Sequence, residues 1–287
     1  MSHHHDTTHI DWDEMSALLE RNAEFQSPLY RQAAAWLGEL LPVAGVRRIL
    51  DIGSGPGVLT LLLAEAFPHA EVVAVDATEP LLARARARAE SAGLADRIRT
   101  QLTELPDGFE ELGEADLIWA GNSVHHIGDQ RAALGALARL LRPGGLLAVA
   151  EGGLPARHLP RDIGIGRPGL EGRLEAAAGE WFTEMRAALP GAKDEVEDWR
   201  ALTATAGLAP SGTRSFLLDV PAPVPTAARE HMVSALGWQR KILEGRLTAD
   251  DAAVLDRLLD PEDPQSLMHR PDVFLLAART VHTARRD

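Results

Sequence analysis

A chain of 287 residues exceeds the soft prior of roughly 150 residues per domain, so one large domain carrying insertions is expected, able to bury on the order of 75% of its unfolded surface. Hydrophobic residues make up 45% and charged residues 25% of the chain, a balance that excludes disorder and fibrous structure, and the absence of cysteine excludes disulfides, thiolate metal sites and thiol nucleophiles. The net charge of −13 repels phosphate backbones, so no nucleic-acid partner is expected.

All but two of the 29 basic residues, Lys193 and Lys241, are arginines, so a single arginine carries little functional information. The start MSHHHDTTHIDWDE lacks the basic and apolar regions of a signal peptide, and no run approaches the 18 or so apolar residues of a membrane span. A cytoplasmic protein without a membrane partner is expected.

In chain order, Trp12, Met15, Leu18, Leu19, Asn22 and Phe25 recur at helical spacing. Ser27-Pro28 then reads as the N-cap and first position of a second helix carrying Leu29, Ala33, Trp36, Leu37 and Leu40, stopped by Pro42 and Gly45. From Arg47 short strand-like runs alternate with alanine-rich helical stretches, which is the signature of a parallel sheet. Strands are predicted near 48–52, 71–76, 97–103, 115–121 and 145–151, with helices near 57–67, 79–92 and 129–141. Leu-Arg-Pro-Gly-Gly at 141–145 ends the last of these helices and leads into a buried strand. Beyond Gly152-Gly153 the regularity is lost. A loop at 154–170 precedes helices at 171–189 and 194–206, a strand at 214–220, helices at 226–244 and 248–259, and a final strand from Asp272 through Val281.

The most informative segment is Ile49-Leu-Asp-Ile-Gly-Ser-Gly-Pro-Gly-Val-Leu-Thr60. A buried strand ends in Asp51, and the glycines at 53, 55 and 57 let the backbone approach a ligand at the mouth of the next helix. Nineteen residues after Gly57 the second strand ends at Asp76, where a carboxylate accepts from both hydroxyls of a ribose. The spacing is G-x-G-x-G, and Asp51 sits two positions before the first glycine. Asp51 would repel a pyrophosphate and attract an ammonium, which favours S-adenosylmethionine over NAD.

These residues, with V-V-A-V-D-A-T at 72–78, E-A-D-L-I-W-A-G-N-S-V-H-H-I at 114–127 and L-R-P-G-G-L-L-A-V at 141–149, make the chain resemble the class I S-adenosylmethionine-dependent methyltransferases. The resemblance implies a Rossmann-like α/β fold, a seven-stranded sheet with its last strand antiparallel and helices on both faces. It implies Gly53, Ser54, Gly55 and Gly57 at the methionine part of the cofactor with Asp51 near its amino group, Asp76 at the ribose, and Ala77 and Thr78 beside the adenine. Gln101, Leu102 and Thr103 match the adenine-bordering stretch after the third strand, without the acidic residue that many members carry there. Asn122 would lie beside the sulfonium, and S-adenosyl-L-homocysteine would be the product.

His125 and His126 follow the fourth strand on the ligand side of the sheet and are the leading candidates for a general base, a role suited to an imidazole near its unperturbed pKa of about 6.5. A pocket-lining or loop-packing role is the plainer alternative. Glu151, at the end of the fifth strand, is a second candidate, against a loop-stabilising ion pair. His3, His4, His5 and His9 suit a metal such as zinc or nickel, but a tail without metal is favoured.

Tyr30, Trp12 and Phe25 are candidates for a lid, Tyr30 also for contact with the acceptor. Trp181, Phe182, Met185, His231, Met232 and Trp238 are candidates for an apolar acceptor pocket, against plain packing. Arg157, Arg161 and Arg167 are weaker candidates to grip an anionic group on the acceptor.

The expected organisation is a helical lid at 1–45, a core at 46–153, 207–224 and 270–287, and substrate-cap insertions at 154–206 and 225–269. The expected activity is methyl transfer to an oxygen or nitrogen of a small metabolite, in specialised biosynthesis, by a monomer or homodimer. A protein or peptide methyltransferase, and a cofactor-binding protein of this fold without methyl transfer, are the alternatives.

Overall fold

A computed structural model describes residues 12–287, with side chains from Leu19 onward. The histidine cluster at 3–5 and 9 and the side chain of Trp12 lie outside the described residues. Two helices, α1 (Trp12–Phe25) and α2 (Ser27–Leu40), precede the alternating region of β1 (Arg48–Ile52), α3 (Val58–Ala66), β2 (Glu71–Asp76), α4 (Glu79–Ser91), β3 (Ile98–Leu102), β4 (Ala115–Gly121), α5 (Gln130–Leu140) and β5 (Leu141–Arg157). Then follow α6 (Leu170–Ala187), α7 (Trp199–Thr205), β6 (Ala209–Val220), α8 (Thr226–Ile242), α9 (Ala249–Leu259) and β7 (Leu275–Arg285).

The strands form one sheet in the order β3-β2-β1-β4-β5-β7-β6. The pairings from β3 to β5 are parallel, while β7 runs antiparallel to both β5 and β6. This is the Rossmann-like sheet with an antiparallel last strand that the sequence implies.

Side chains alternate across the sheet with period two, and the core divides accordingly. Ile49, Leu117 and Trp119 face a layer containing Leu37 of α2 and Leu63 of α3, whereas Leu50, Ile118 and Val149 face Leu134 of α5 and Leu202 of α7. The first layer also takes in Leu174 of α6, Met232 and Leu236 of α8 and Leu255 of α9, so the insertions share the core of the sheet.

Several element boundaries differ from the sequence reading: β6 begins at Ala209 instead of 214, and β7 spans Leu275–Arg285 instead of Asp272–Val281. Gln26, not Ser27, is the N-cap of α2, and it makes no side-chain cap bond. Ser27 and Pro28 both lie in the first turn, where a proline's missing N–H costs no helical bond. The helix expected at 194–206 begins only at Trp199, because Asp198 caps it by accepting from the Ala201 N–H. Finally, β5 starts at Leu141 and continues to Arg157, its register shifting around 115–117 opposite 141–146 and again between Ala150 and Gly153. The glycines at 144, 152 and 153 all have positive φ, which is how the strand accommodates these irregularities.

Candidate cofactor and active site

The parallel strands end on one side of the sheet, and the loops beyond β1, β2, β3 and β4 enclose a cavity of about 600 Å³, within the range of a small-molecule site. Leu19, Asn22 and Ala23 of α1, Tyr30 of α2 and Gln26 between the two helices form its outer wall.

The loop after β1 is tied to β2, since the N–H groups of Gly53 and Ser54 both donate to the Val75 carbonyl. At Gly53, φ is +68° and a Cβ would stand 2.6 Å from the Cβ of Ser123. The approach of the β4 loop therefore demands glycine. Gly55 lines the cavity, and its N–H donates to Oδ2 of Asp76 at 2.9 Å. Gly57 serves differently from the expectation of a ligand contact: it caps α3 with φ +75°, and a Cβ there would meet that of Ala85 on α4 at 2.6 Å. It is a packing residue.

Asp51 is 2% exposed and accepts from the Thr60 hydroxyl at 2.6 Å. Burial, assisted by the charge of Asp76, pushes its carboxyl up to about 7 despite that hydrogen bond. An ammonium group brought beside it would restore its charge. Asp76 accepts from the N–H of Thr78 as well as that of Gly55, which leaves lone pairs on both oxygens for a diol. Ala77 lines the cavity, but Thr78 does not; it is the N-cap residue of α4.

Beyond β3 the extended chain alternates, and of the expected Gln101, Leu102 and Thr103 only Thr103 faces the cavity. Leu102 is 57% exposed and points away, whereas Thr103 is buried and lines the cavity together with Glu104 and Leu105. The Gln101 amide is turned toward the Glu111 carbonyl. Asn122 has φ +49°, the one non-glycine residue with positive φ among the described residues. Its N–H donates to the Ala150 carbonyl and its side-chain amide to the Tyr30 hydroxyl at 3.4 Å. Such a backbone outlier at a cavity wall is characteristic of functional loops.

The two histidines separate. His126 lines the cavity, and burial, followed by the neighbouring His125, holds its pKa below the usual imidazole value, with Glu151 opposing and Arg186 adding to the decrease. His125 turns away, its Nδ1 2.8 Å from Oε2 of Glu151 and its ring 5.4 Å from that of Phe182. Glu151 is 5% exposed and also accepts from the N–H of Val124. It organises the loop and does not line the cavity. Arg186 of α6 fixes the same loop by donating to the carbonyls of His125 and Ile127, each at 2.7 Å.

Of the proposed acceptor residues only Tyr30 lies in the cavity wall, packed edge-on against Trp119. Trp181 packs against the core, His231 stacks on Phe25 with centroids 4.3 Å apart, Met232 is fully buried and Trp238 is 39% exposed. Neither these nor Met185 line the cavity, because the helical periodicity that suggested a pocket packs α6 and α8 onto their neighbours. Arg157 and Arg167 are engaged by Glu175 and Asp251. Thr60 and Ser123 lie inside the quoted motifs, and Leu19 and Asn22 inside the helical pattern of α1, but nothing in the sequence marks them as site residues.

Three cavity-lining hydroxyls, of Ser54, Thr103 and Ser123, are buried without a hydrogen-bond partner, a condition that native interiors avoid unless a ligand or water completes it. Together with the buried Asp51 at one end and Asp76 at the next strand, they fit a ligand that has both an amino-acid and a ribose portion. The fold and this donor set define a nucleoside-binding Rossmann-like protein.

A family model described as "Methyltransferase domain" matches residues 50–147. The trans-aconitate 2-methyltransferase of Methylobacterium radiotolerans is 34% identical over 208 residues, 66% of this chain and 72% of that protein. The corresponding protein of Methylobacterium nodulans is 29% identical over 289 residues, 94% of this chain and 99% of that protein. An uncharacterized Synechococcus protein is 41% identical over 120 residues, and the chain spans 29% of its length. Among solved structures, a SAM-dependent methyltransferase from Geobacter sulfurreducens in complex with S-adenosyl-L-homocysteine shares the fold with a TM-score of 0.50 and 18% identity, over 89% of this chain and 91% of that one. The chain belongs to the S-adenosylmethionine-dependent methyltransferases, and S-adenosylmethionine is its cofactor.

Proposed function

We propose that the chain methylates an oxygen or nitrogen of a small metabolite, in specialised biosynthesis. The observation that carries this reading is the wall that residues of α1 and α2 form along the cavity of about 600 Å³, a shape that favours a small acceptor over an open polypeptide-binding groove. The two Methylobacterium relatives, named for action on trans-aconitate, support a small-molecule acceptor.

S-adenosylmethionine supplies a methyl group already activated on a sulfonium, so much of the acceleration comes from holding the acceptor atom within about 3–3.5 Å of it. In this chain Asp51 holds the amino end of the cofactor and Asp76 the ribose. Asn122 and Tyr30 position the reacting end. His126, kept neutral by burial, takes the proton from the acceptor hydroxyl or amine. His125 and Glu151 act through the loop that presents His126.

The test is transfer from methyl-labelled S-adenosylmethionine into a metabolite extract and into protein, with wild type and His126→Ala side by side. Label in a small-molecule product that falls sharply in the variant supports the reading; label confined to polypeptide refutes it.

A further inference from the structure

All but two of the 29 basic residues are arginines, yet among the described residues neither an arginine nor a lysine lines the cavity. Residues 1–18, ahead of the described side chains, contain neither type. Arg84 and Arg88 of α4 hold Glu20 and Glu24 of α1, which do not line the cavity either. Arg186 holds the carbonyls of His125 and Ile127. Arg279, whose charge acts on the Tyr30 phenol, stays outside the wall.

The charged groups of the wall are acids: Asp51, Asp76 and Glu104 line the cavity, while burial keeps His126 neutral. They belong to the end that takes the cofactor. Strands β1 and β2 are neighbours, and the Thr103 N–H donates to the Asp76 main-chain carbonyl, so Glu104, one residue further on, borders the end of β2. The cofactor brings a sulfonium, an ammonium and a carboxylate, a net single positive charge, and three acids therefore leave the occupied cavity with an excess of negative charge. An acidic acceptor would enter against that field with no cation to meet it, and a cationic one would have to approach the sulfonium.

The other end of the wall is polar and uncharged. Gln26, Tyr30, Trp119 and Asn122 line it, with Tyr30 edge-on to Trp119. The Asn122 amide donates to the Tyr30 hydroxyl at 3.4 Å, and that hydroxyl donates to Oε1 of Gln26 at 3.5 Å. Asn22 stands one helical turn earlier, its carbonyl accepting from the Gln26 N–H, so the two side chains share a face. Asn22 lines the cavity, and its Oδ1 is buried without a partner. A buried acceptor in this state is completed by a donor from a ligand or from water. Unlike the hydroxyls of Ser54, Thr103 and Ser123, it stands on α1, beside the reacting end of the site.

We propose that the methyl acceptor is an uncharged molecule seated between α1 and the Tyr30–Trp119 pair, with a hydroxyl or N–H donated to Oδ1 of Asn22, and that carboxylic acids are rejected. This rests on the small-molecule methyltransferase reading and assigns its substrate class. Asn22 is a binding residue, and the transfer itself stays with the groups around His126.

The test begins with a metabolite extract divided at neutral pH into portions retained by an anion exchanger, by a cation exchanger and by neither. The division precedes the reaction, because a methyl ester has lost the charge of its acid. Each portion is incubated with the full chain and methyl-labelled S-adenosylmethionine. The unretained portion is expected to take most of the label; a larger share in either retained portion overturns the proposal. Calorimetric titration of the chain saturated with S-adenosyl-L-homocysteine, using trans-aconitate as the anionic probe, is expected to show no binding, and binding overturns the proposal.

At limiting extract, Asn22→Leu is expected to lower transfer into the unretained portion by about tenfold, the loss of one hydrogen bond, and Asn22→Asp, which keeps an acceptor oxygen, by less. S-adenosyl-L-homocysteine affinity should match wild type in both variants, which shows that they fold. Undiminished transfer by Asn22→Leu, an equal loss in both variants, or a loss of S-adenosyl-L-homocysteine affinity overturns the proposal and leaves methyl transfer intact. Failure of the wild type to bind S-adenosyl-L-homocysteine, or transfer into none of the three portions, overturns the underlying reading, and the proposal with it.

Discussion

Asp51→Asn separates the cofactor role of this carboxyl from its cost to the fold. The wild-type group titrates near 7 in the folded chain against 3.8 for an unburied aspartate, chiefly because burial disfavours its charge. A folded pKa raised in this way contributes stability that is complete below the unfolded value and is lost as pH rises through the folded one. At about 1.36 kcal/mol per unit, the loss is about 1.5 kcal/mol at pH 5 and about 4 kcal/mol above pH 7.

An asparagine stays neutral throughout. The variant should therefore be nearly as stable as wild type at pH 4 and more stable at pH 8.5, by about 3 kcal/mol once about 1 kcal/mol is allowed for the altered bond to Thr60. For a chain of this length that is a Tm higher by about 5 °C. Thermal scans between pH 4 and 8.5, with and without S-adenosyl-L-homocysteine, measure both sides of the exchange. The ligand's ammonium should restore the wild type at high pH and do much less for the variant. Equal Tm values at pH 8.5, a gap that does not close on acidification, or equal stabilisation of both proteins by the ligand would refute the reasoning.

Asp76→Ala should weaken S-adenosyl-L-homocysteine binding by about tenfold or more in calorimetry, because it removes the diol acceptor and releases the Gly55 N–H. Once an acceptor is in hand, His126→Ala should lower kcat by about 10²–10⁴ with cofactor affinity unchanged. In wild type saturated with S-adenosylmethionine, whose ammonium restores the Asp51 charge, the acid limb of kcat/KM for the acceptor should fall below pH 6.5, since the burial that depresses the His126 pKa keeps the base neutral to lower pH. Glu151→Gln should lower kcat while leaving cofactor affinity near wild type, and should raise hydrogen exchange at Val124 and His125, whose N–H groups it orders. Gly57→Ala should cost about 1–3 kcal/mol in denaturant unfolding, because the new methyl group has both a left-handed backbone and Ala85 against it.

The sheet was legible because its strands are short buried runs flanked by helix-stopping residues. Arg48–Ile52, Glu71–Asp76 and Ala115–Gly121 were readable to the residue, since Asp51, Asp76 and the glycines mark where each chain turns. The second half was harder. Gly144, Gly152 and Gly153 punctuate β5 without ending it, so a strand of many residues looked like a strand and a loop. At the site, the motif identified Asp51, Asp76, Asn122 and the histidine pair, but sequence order does not say which way a side chain faces. His126 and His125 diverge although adjacent, and Leu102 and Thr103 differ by one step of an extended chain. The aromatic residues of α6 and α8 misled for a physical reason: the spacing that lines a pocket is also the spacing that packs a helix.

The most direct measurement of the central claim is transfer of label from methyl-labelled S-adenosylmethionine by the purified chain into an extract separated into small-molecule and protein fractions. Label should appear in a small-molecule product and remain absent from protein. Label in the protein fraction alone, or no transfer at all from a chain that binds the cofactor, would contradict the account.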